Sequence, residues 1–262
     1  MKILNFLLPV VLAAALSLPS RGAIRTKVLE YKDGDVTLEG YLAYDEAAKE
    51  KRPAVLIVHD WMGLGSYVKK RAEAIAGLGY VAFGADIYGQ GVRPSTGEEA
   101  ARQAGIYRQD RALMRRRIQA ALAEVRNLPF VDGTRVAAMG YCFGGGVVLE
   151  LARSGADIRG AVTFHGSLDT PHPVNAGIIK AKILVLHGAD DPFVGQDQVL
   201  AFEKEMKAAR VDWELNLYSN AVHSFTNPDA GNDPSKGSAY NREADLRSWE
   251  AMKAFFEEIF RP

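Results

Sequence analysis

One cysteine stands in this chain of 262 residues, and it lies inside Gly140-Tyr141-Cys142-Phe143-Gly144. The apolar run Arg135–Met139 before it has strand character, and Gly145–Ala152 after it opens a helix. A G-x-nucleophile-x-G turn between strand and helix is sharp and pushes the central side chain out of the sheet end. Glycine suits such a place because close backbone neighbours leave no room for a Cβ. The sulfur also faces the positive end of the following helix, which favours thiolate over thiol. Such a group attacks carbonyl carbon. Two bland readings compete, a small buried hydrophobe and the glycine-rich turn of a phosphate or dinucleotide site.

A nucleophile on this kind of turn calls for an acid and then a histidine downstream. The strand-like run Lys182–Leu186 ends in His187-Gly188, and Ala189-Asp190-Asp191-Pro192 follows as a loop. Asp191 is the better of the two aspartates, because a residue before proline is biased to extended geometry. Beyond the strand-like segment Val211–Tyr218, His223 sits on the loop Ala221-Val222-His223-Ser224-Phe225. Cys142, Asp191 and His223 thus follow the nucleophile-acid-base order of an α/β hydrolase. The competing explanation, helix-capping aspartates and a surface histidine, needs three coincidences at three strand ends. A free thiol titrates near ~8.5, so His223 must take its proton while Asp191 orients the imidazole. The Phe143 N–H, next after the nucleophile, is placed to meet the oxyanion. Water then hydrolyses the thioester, and this chemistry needs neither a metal nor an organic cofactor.

The motifs Gly140-Tyr141-Cys142-Phe143-Gly144-Gly145, Asp191-Pro192-Phe193-Val194 and His223-Ser224-Phe225 resemble those of the dienelactone hydrolase family. His59-Asp60-Trp61-Met62-Gly63 and Asp86-Ile87-Tyr88-Gly89 match as well, and the resemblance runs from about Thr26 to the C-terminus. It implies that the Trp61 N–H is the second oxyanion donor. It also implies that Asp60 contacts the resting nucleophile, with a side chain one methylene shorter than the family's glutamate. Family members hold a substrate carboxylate with arginines at places matching Gln90 and Asn227, and neither is basic here. Arg93 stands close by in sequence. Tyr88, Gln90, Arg93 and Asn227 are therefore the candidate substrate contacts, and a broader ester, lactone or thioester is expected rather than dienelactone itself. His59, His165, His172 and His187 show no metal-ligand spacing and read as structural or as supports behind the reacting groups. A non-catalytic exported binding protein on the same scaffold is the alternative. A redox sensor is disfavoured because no second cysteine can resolve an oxidised sulfur.

These residues need a frame that gathers distant loops. Asp33-Gly34 between Arg25–Tyr31 and Val36–Tyr44 predicts a hairpin. Ala54–Val58, Val81–Ala85 and Gly160–Phe164 read as further buried strands. Tyr67–Leu78, Val199–Ala209 and Ala244–Phe260 read as helices, as does the segment capped by Asp110 with Met114, Ile118, Leu122 and Val125 on one face. In Ala244–Phe260, Leu246, Trp249, Phe256 and Phe260 are expected to share the core face. Strands alternating with helices predict an α/β architecture, a mainly parallel sheet covered on both faces, with an N-terminal antiparallel hairpin. Its site lies beyond the C-terminal strand ends. The polar stretch 227–237 would lie near His223.

Residues 1–23 stand apart from one domain spanning 24–262. Lys2, the apolar run Ile3–Leu18 and the small residues Ser20 and Gly22 predict a signal peptide and export to a periplasm or the medium. An exported chain with one unpaired thiol needs a reason to keep it. Basic and acidic residues balance at 32 each, which gives no argument for nucleic acid or for a membrane surface. The expected partner is a small ester or lactone, and no oligomeric state is implied. Arg115, Arg116 and Arg117 are expected to form a solvated helix face.

Overall fold

The structure is a computed structural model that describes residues 22–47 and 49–261. The predicted signal peptide lies outside the described residues, apart from Gly22 and Ala23. The hairpin forms as expected: β1 (Ile24–Asp33) pairs antiparallel with β2 (Val36–Asp45), and Gly34 takes φ 59° at the turn. The remaining strands are β3 (Arg52–Val58), β4 (Val81–Ala85), β5 (Val131–Tyr141), β6 (Gly160–Phe164), β7 (Lys182–Gly188) and β8 (Trp213–Tyr218). These six run parallel, and the sheet order is β1-β2-β4-β3-β5-β6-β7-β8.

Side chains alternate between the two faces of each strand. Val55 and Ile57 of β3 pack beneath α1 (Ser66–Gly77) and α6 (Arg242–Ile259). Leu56 and Val58 face α2 (Gly97–Gln109), α3 (Arg111–Arg126), α4 (Phe143–Arg153) and α5 (Gln196–Ala209). Both faces are therefore dry, which explains why these strands read as unbroken apolar runs.

Three local expectations are corrected. A helix over Gly97–Gln109 was not foreseen, although Thr96 and Glu99 signal its start. Thr96 Oγ1 accepts the Glu99 N–H at 3.2 Å, and the Glu99 carboxylate accepts the Ser95 N–H at 2.8 Å, a variant of the reciprocal cap. The arginine triplet is not a solvated face. Arg117 is buried against Asp33 at 2.8 Å and Arg115 pairs with Glu150 at 2.7 Å, leaving only Arg116 mostly exposed. Buried carboxylates demand such partners. Leu246 is 47 % exposed, because the core face of α6 runs through Ser248, Met252, Phe255 and Phe256.

Glu150 belongs to a larger buried network. Arg153 reaches Glu150 at 3.2 Å and Glu205 of α5 at 2.7 Å, and donates to the Leu168 carbonyl at 2.9 Å. Helices α4 and α5 and the β6–β7 connection are joined through this one guanidinium, and Arg115 of α3 joins them through Glu150.

Candidate active site

Six of the singled-out groups fall just past the C-terminal ends of the six parallel strands: Asp60 after β3, Tyr88 after β4, Cys142 after β5, His165 after β6, Asp191 after β7 and His223 after β8. Adjacent strands converge there, so residues distant in sequence meet.

Cys142 adopts φ 53° and ψ −115°, a strained conformation for a residue with a side chain, directly before the first residue of α4. Its neighbours make the turn feasible. A Cβ on Gly140 would strike the Gly144 carbonyl, and one on Gly144 would strike the carbonyls of Val58 and His59. The Cys142 N–H donates to the Phe164 carbonyl at 3.1 Å, which ties the turn to β6. The side chain is half-buried.

Of the two neighbouring aspartates, Asp191 is the one that meets His223. One Asp191 oxygen accepts His223 Nδ1–H at 2.8 Å. The other accepts the N–H groups of Phe193 and Val194 at 2.8 and 3.1 Å. The carboxylate thus ties down the turn that follows it and holds the imidazole at once, but it does not cap α5, whose N-cap is Gly195 without a side-chain bond. With Nδ1 engaged, Nε2 is left to face Cys142. Burial works against a charge on His223, but the Cys142 sulfur and the hydrogen-bonded Asp191 carboxylate outweigh burial and push the imidazole up to about 10. The loop is fixed by its backbone: His223 N–H donates to the Gly237 carbonyl and its own carbonyl accepts from Ala239, both at 3.1 Å. The polar stretch 227–237 therefore does border the site, as two short 3-10 turns, Pro228–Ala230 and Pro234–Lys236.

The loop after β3 is held with equal care. Ile87 N–H donates to His59 Nε2 at 3.2 Å, so the proton is on Nδ1, which donates to the Asp60 carbonyl at 2.6 Å. Burial keeps this ring below the usual imidazole range and hence neutral. That carbonyl shares a peptide plane with the Trp61 N–H, so His59 fixes the direction of that donor. The Tyr88 hydroxyl donates to the Trp61 carbonyl at 3.0 Å, and the Met62 N–H to Asp60 Oδ1 at 2.8 Å. Burial raises the Asp60 carboxyl, with the Met62 amide and the His59 and His223 rings opposing it. Burial, with Cys142 and Asp60 as neighbours, likewise holds Tyr88 as a phenol.

The candidate substrate contacts are mostly committed elsewhere. Tyr88 is buried beneath Phe143 and Tyr107. Gln90 donates to Glu30 at 2.6 Å, and Asn227 caps the turn at Asp229. Arg93 spends its donors on the carbonyls of Leu64, Gly89 and Val92 and lies near Glu39 and Asp86. Two exposed aromatics stand on the loops after β3 and β7 instead, Trp61 at 38 % and Phe193 at 58 %, and the Phe193 ring meets His223 edge-on at 5.5 Å. Phe193 was quoted in a motif but given no role; an exposed aromatic two residues after the acid was the available signal.

The model of the dienelactone hydrolase family matches residues 38–260. The solved structure named m3DLH superposes with a TM-score of 0.88 at 40% identity, over 92% of this chain and 100% of that one. A dienelactone hydrolase-like promiscuous phosphotriesterase from metagenomic libraries gives a TM-score of 0.85, also at 40% identity over 92% of this chain and 100% of that one. Among curated proteins, the uncharacterized protein K02A2.1 of Caenorhabditis elegans is 35% identical over 146 residues, 55% of this chain and 92% of its own length. With strand-end geometry, family match and structural likeness in agreement, this chain belongs to the dienelactone hydrolase family and is a hydrolase of esters or lactones.

Proposed function

We propose that Cys142 is the nucleophile of a Cys-His-Asp triad that cleaves uncharged carboxylic esters or lactones through a thioester. The observation that carries this reading is the 2.8 Å bond from His223 to Asp191, with the free edge of the same imidazole turned to the sulfur on its strained elbow. His223 Nε2 takes the thiol proton, and the sulfur attacks the carbonyl carbon. The carbonyl π electrons move to oxygen, which accepts from the N–H groups of Phe143 and Trp61. Collapse expels the alcohol, which leaves with the proton held by His223. Water then gives a proton to His223 and attacks the thioester, and the sulfur departs and is reprotonated. Each backbone donor contributes about 3 kcal/mol to such a transition state.

The preference for an uncharged substrate rests on the committed Arg93, on Gln90 and Asn227 facing other partners, and on the buried Asp60 carboxyl. Trp61 and Phe193 suit an aryl or alkyl group. Asp60 lies near His223 and acts on the resting pair through its charge. The likeness to a phosphotriesterase makes neutral phosphotriesters the second class to assay. Export follows from the apolar run near the N-terminus, and mass measurement of the mature N-terminus checks it.

Purified protein should hydrolyse an aryl acetate, and Cys142→Ala and His223→Ala should each abolish turnover. Undiminished turnover in either variant defeats the proposal. Iodoacetamide should alkylate Cys142 well below pH ~8.5, whereas an inert thiol would point to a binding protein instead.

A further inference from the structure

A hydrogen-bonded group behind His223 has no part in the chemistry above. Thr226, three residues past the base, is 1 % exposed. Its hydroxyl shares hydrogen bonds with His165 Nε2 at 2.8 Å and with the Tyr67 hydroxyl at 2.7 Å. Its carbonyl accepts from Arg71 Nη2 at 2.6 Å, and Arg71 continues to Asp245 of α6 at 2.7 Å. The His165 ring also stands edge-on to His223, with centroids 5.2 Å apart. His165 (φ 40°) and Ser224 (φ 58°) both hold left-handed backbone, and such strain persists only where surroundings over-determine it.

We propose that His165 and Thr226 are positioning residues for His223: they set the angle at which its imidazole meets the Cys142 sulfur. This inference rests on the reading of His223 as the base for Cys142. The wall of the base is built by Phe193 on one loop and by His165 on another, and the Thr226 hydroxyl fixes the second of these. His165 must also be uncharged to do this. Burial, and the positive charge that His223 and His187 carry when protonated, hold it well below the usual imidazole range. The titratable groups around His223 are Cys142 at the elbow, Asp191 after β7, His187 on β7, Asp60 after β3 and His165 after β6. A neutral His165 leaves the attraction of Cys142 and Asp191 unopposed from that side.

The test uses four single variants and one double, assayed on an aryl acetate from acid to alkaline pH. His165→Asn keeps a residue that tolerates positive φ but cannot reach Thr226, whereas the longer His165→Gln places an amide near the lost Nε2. Thr226→Val removes the hydroxyl, and Thr226→Ser restores it. His165→Asn and Thr226→Val should each lower kcat about 10- to 100-fold with little change in KM. Both should move the alkaline limb of the pH profile to lower pH, as a loosened His223 gives up its proton more readily. Gln and Ser should recover most of the activity, and the His165→Asn/Thr226→Val double should fall no further than the worse single. Folded variants with native kcat and native pH profile would overturn the inference. So would a loss of kcat with an unmoved pH limb and no recovery by Gln or Ser, which would mark a merely structural role. If His165→Asn does not fold, Thr226→Val decides. Turnover surviving in Cys142→Ala would instead defeat the triad reading, leaving these outcomes distinguishable.

Discussion

Asp191 divides its two oxygens between two loop amides and the imidazole, and that division decides what its loss would do. Asp191→Asn retains one acceptor for the Phe193 and Val194 amides but can present an N–H to His223, which favours the wrong tautomer. By analogy with the serine triads, kcat should fall about 10³- to 10⁴-fold while the melting temperature changes little. Stopped assays beside thermal melts check both halves. The raised affinity of His223 for its proton also couples folding to pH. Its folded value is about 10 against an ordinary 6.5, so the stabilisation is complete below 6.5 and is lost as pH rises through about 10. Melting temperature should fall across that window. In Cys142→Ala, which lacks one source of the shift, the fall should be smaller and should finish at lower pH. At this scale the sequence was most legible: cysteine, aspartate and histidine could be named from their order at strand ends. The bond between Thr226 and His165 and the ring contact behind His223 could not, because only folding brings that hydroxyl and those ring edges together.

The strand-turn-helix unit of β5 and α4 is the element most sensitive to substitution. Gly144 lies against the carbonyl oxygen of Val58 and within 2.5 Å of that of His59 once a Cβ is added. Gly144→Ala must push β3 and the Trp61 loop away from the elbow. The cost should be about 3 kcal/mol or more, with activity lost in any protein that folds. Urea titration and an ester assay on one preparation measure the two together. Gly177→Ala is the contrast within the same domain, since nothing lies within 4 Å of its added Cβ. Its positive φ of 82° still brings some strain, so it should cost only about 1 kcal/mol and leave the elbow untouched. Element types were mostly readable, because buried parallel strands carry continuous apolar runs. The helix Gly97–Gln109 escaped because its buried face is only Ala100, Ala104 and Tyr107, a weak apolar signal. The boundary of β8 shifted too, from Val211 to Trp213, where pairing with β7 begins at Ile183.

Across the whole molecule, charge is used inside as well as outside. Arg153 is among the largest fully buried side chains and neutralises both Glu150 and Glu205. Arg153→Met should destabilise the fold by about 3–5 kcal/mol, because it strands the Glu205 carboxylate in the interior and leaves Glu150 with Arg115 alone. The midpoint of denaturant unfolding reads this directly. Replacing Glu205 by Gln as well should recover part of the loss. The triplet Arg115–Arg117 misled for the same reason: sequence shows charges, whereas only the fold shows that Asp33 and Glu150 wait beneath two of them.

Arg71 carries a further consequence. It stands on α1, grips the Thr226 carbonyl and the Asp245 carboxylate of the last helix, and lies over the rings of Tyr67 and Trp249. The segment bearing His223 and the C-terminal helix are therefore latched by this side chain, together with Asn241, whose N–H donates to the Phe225 carbonyl at 3.0 Å. Partial opening of that helix would release the base before the sheet melts. Heating should extinguish turnover ahead of global unfolding, and deuterium uptake at 223–226 should rise in step with uptake in the final helix.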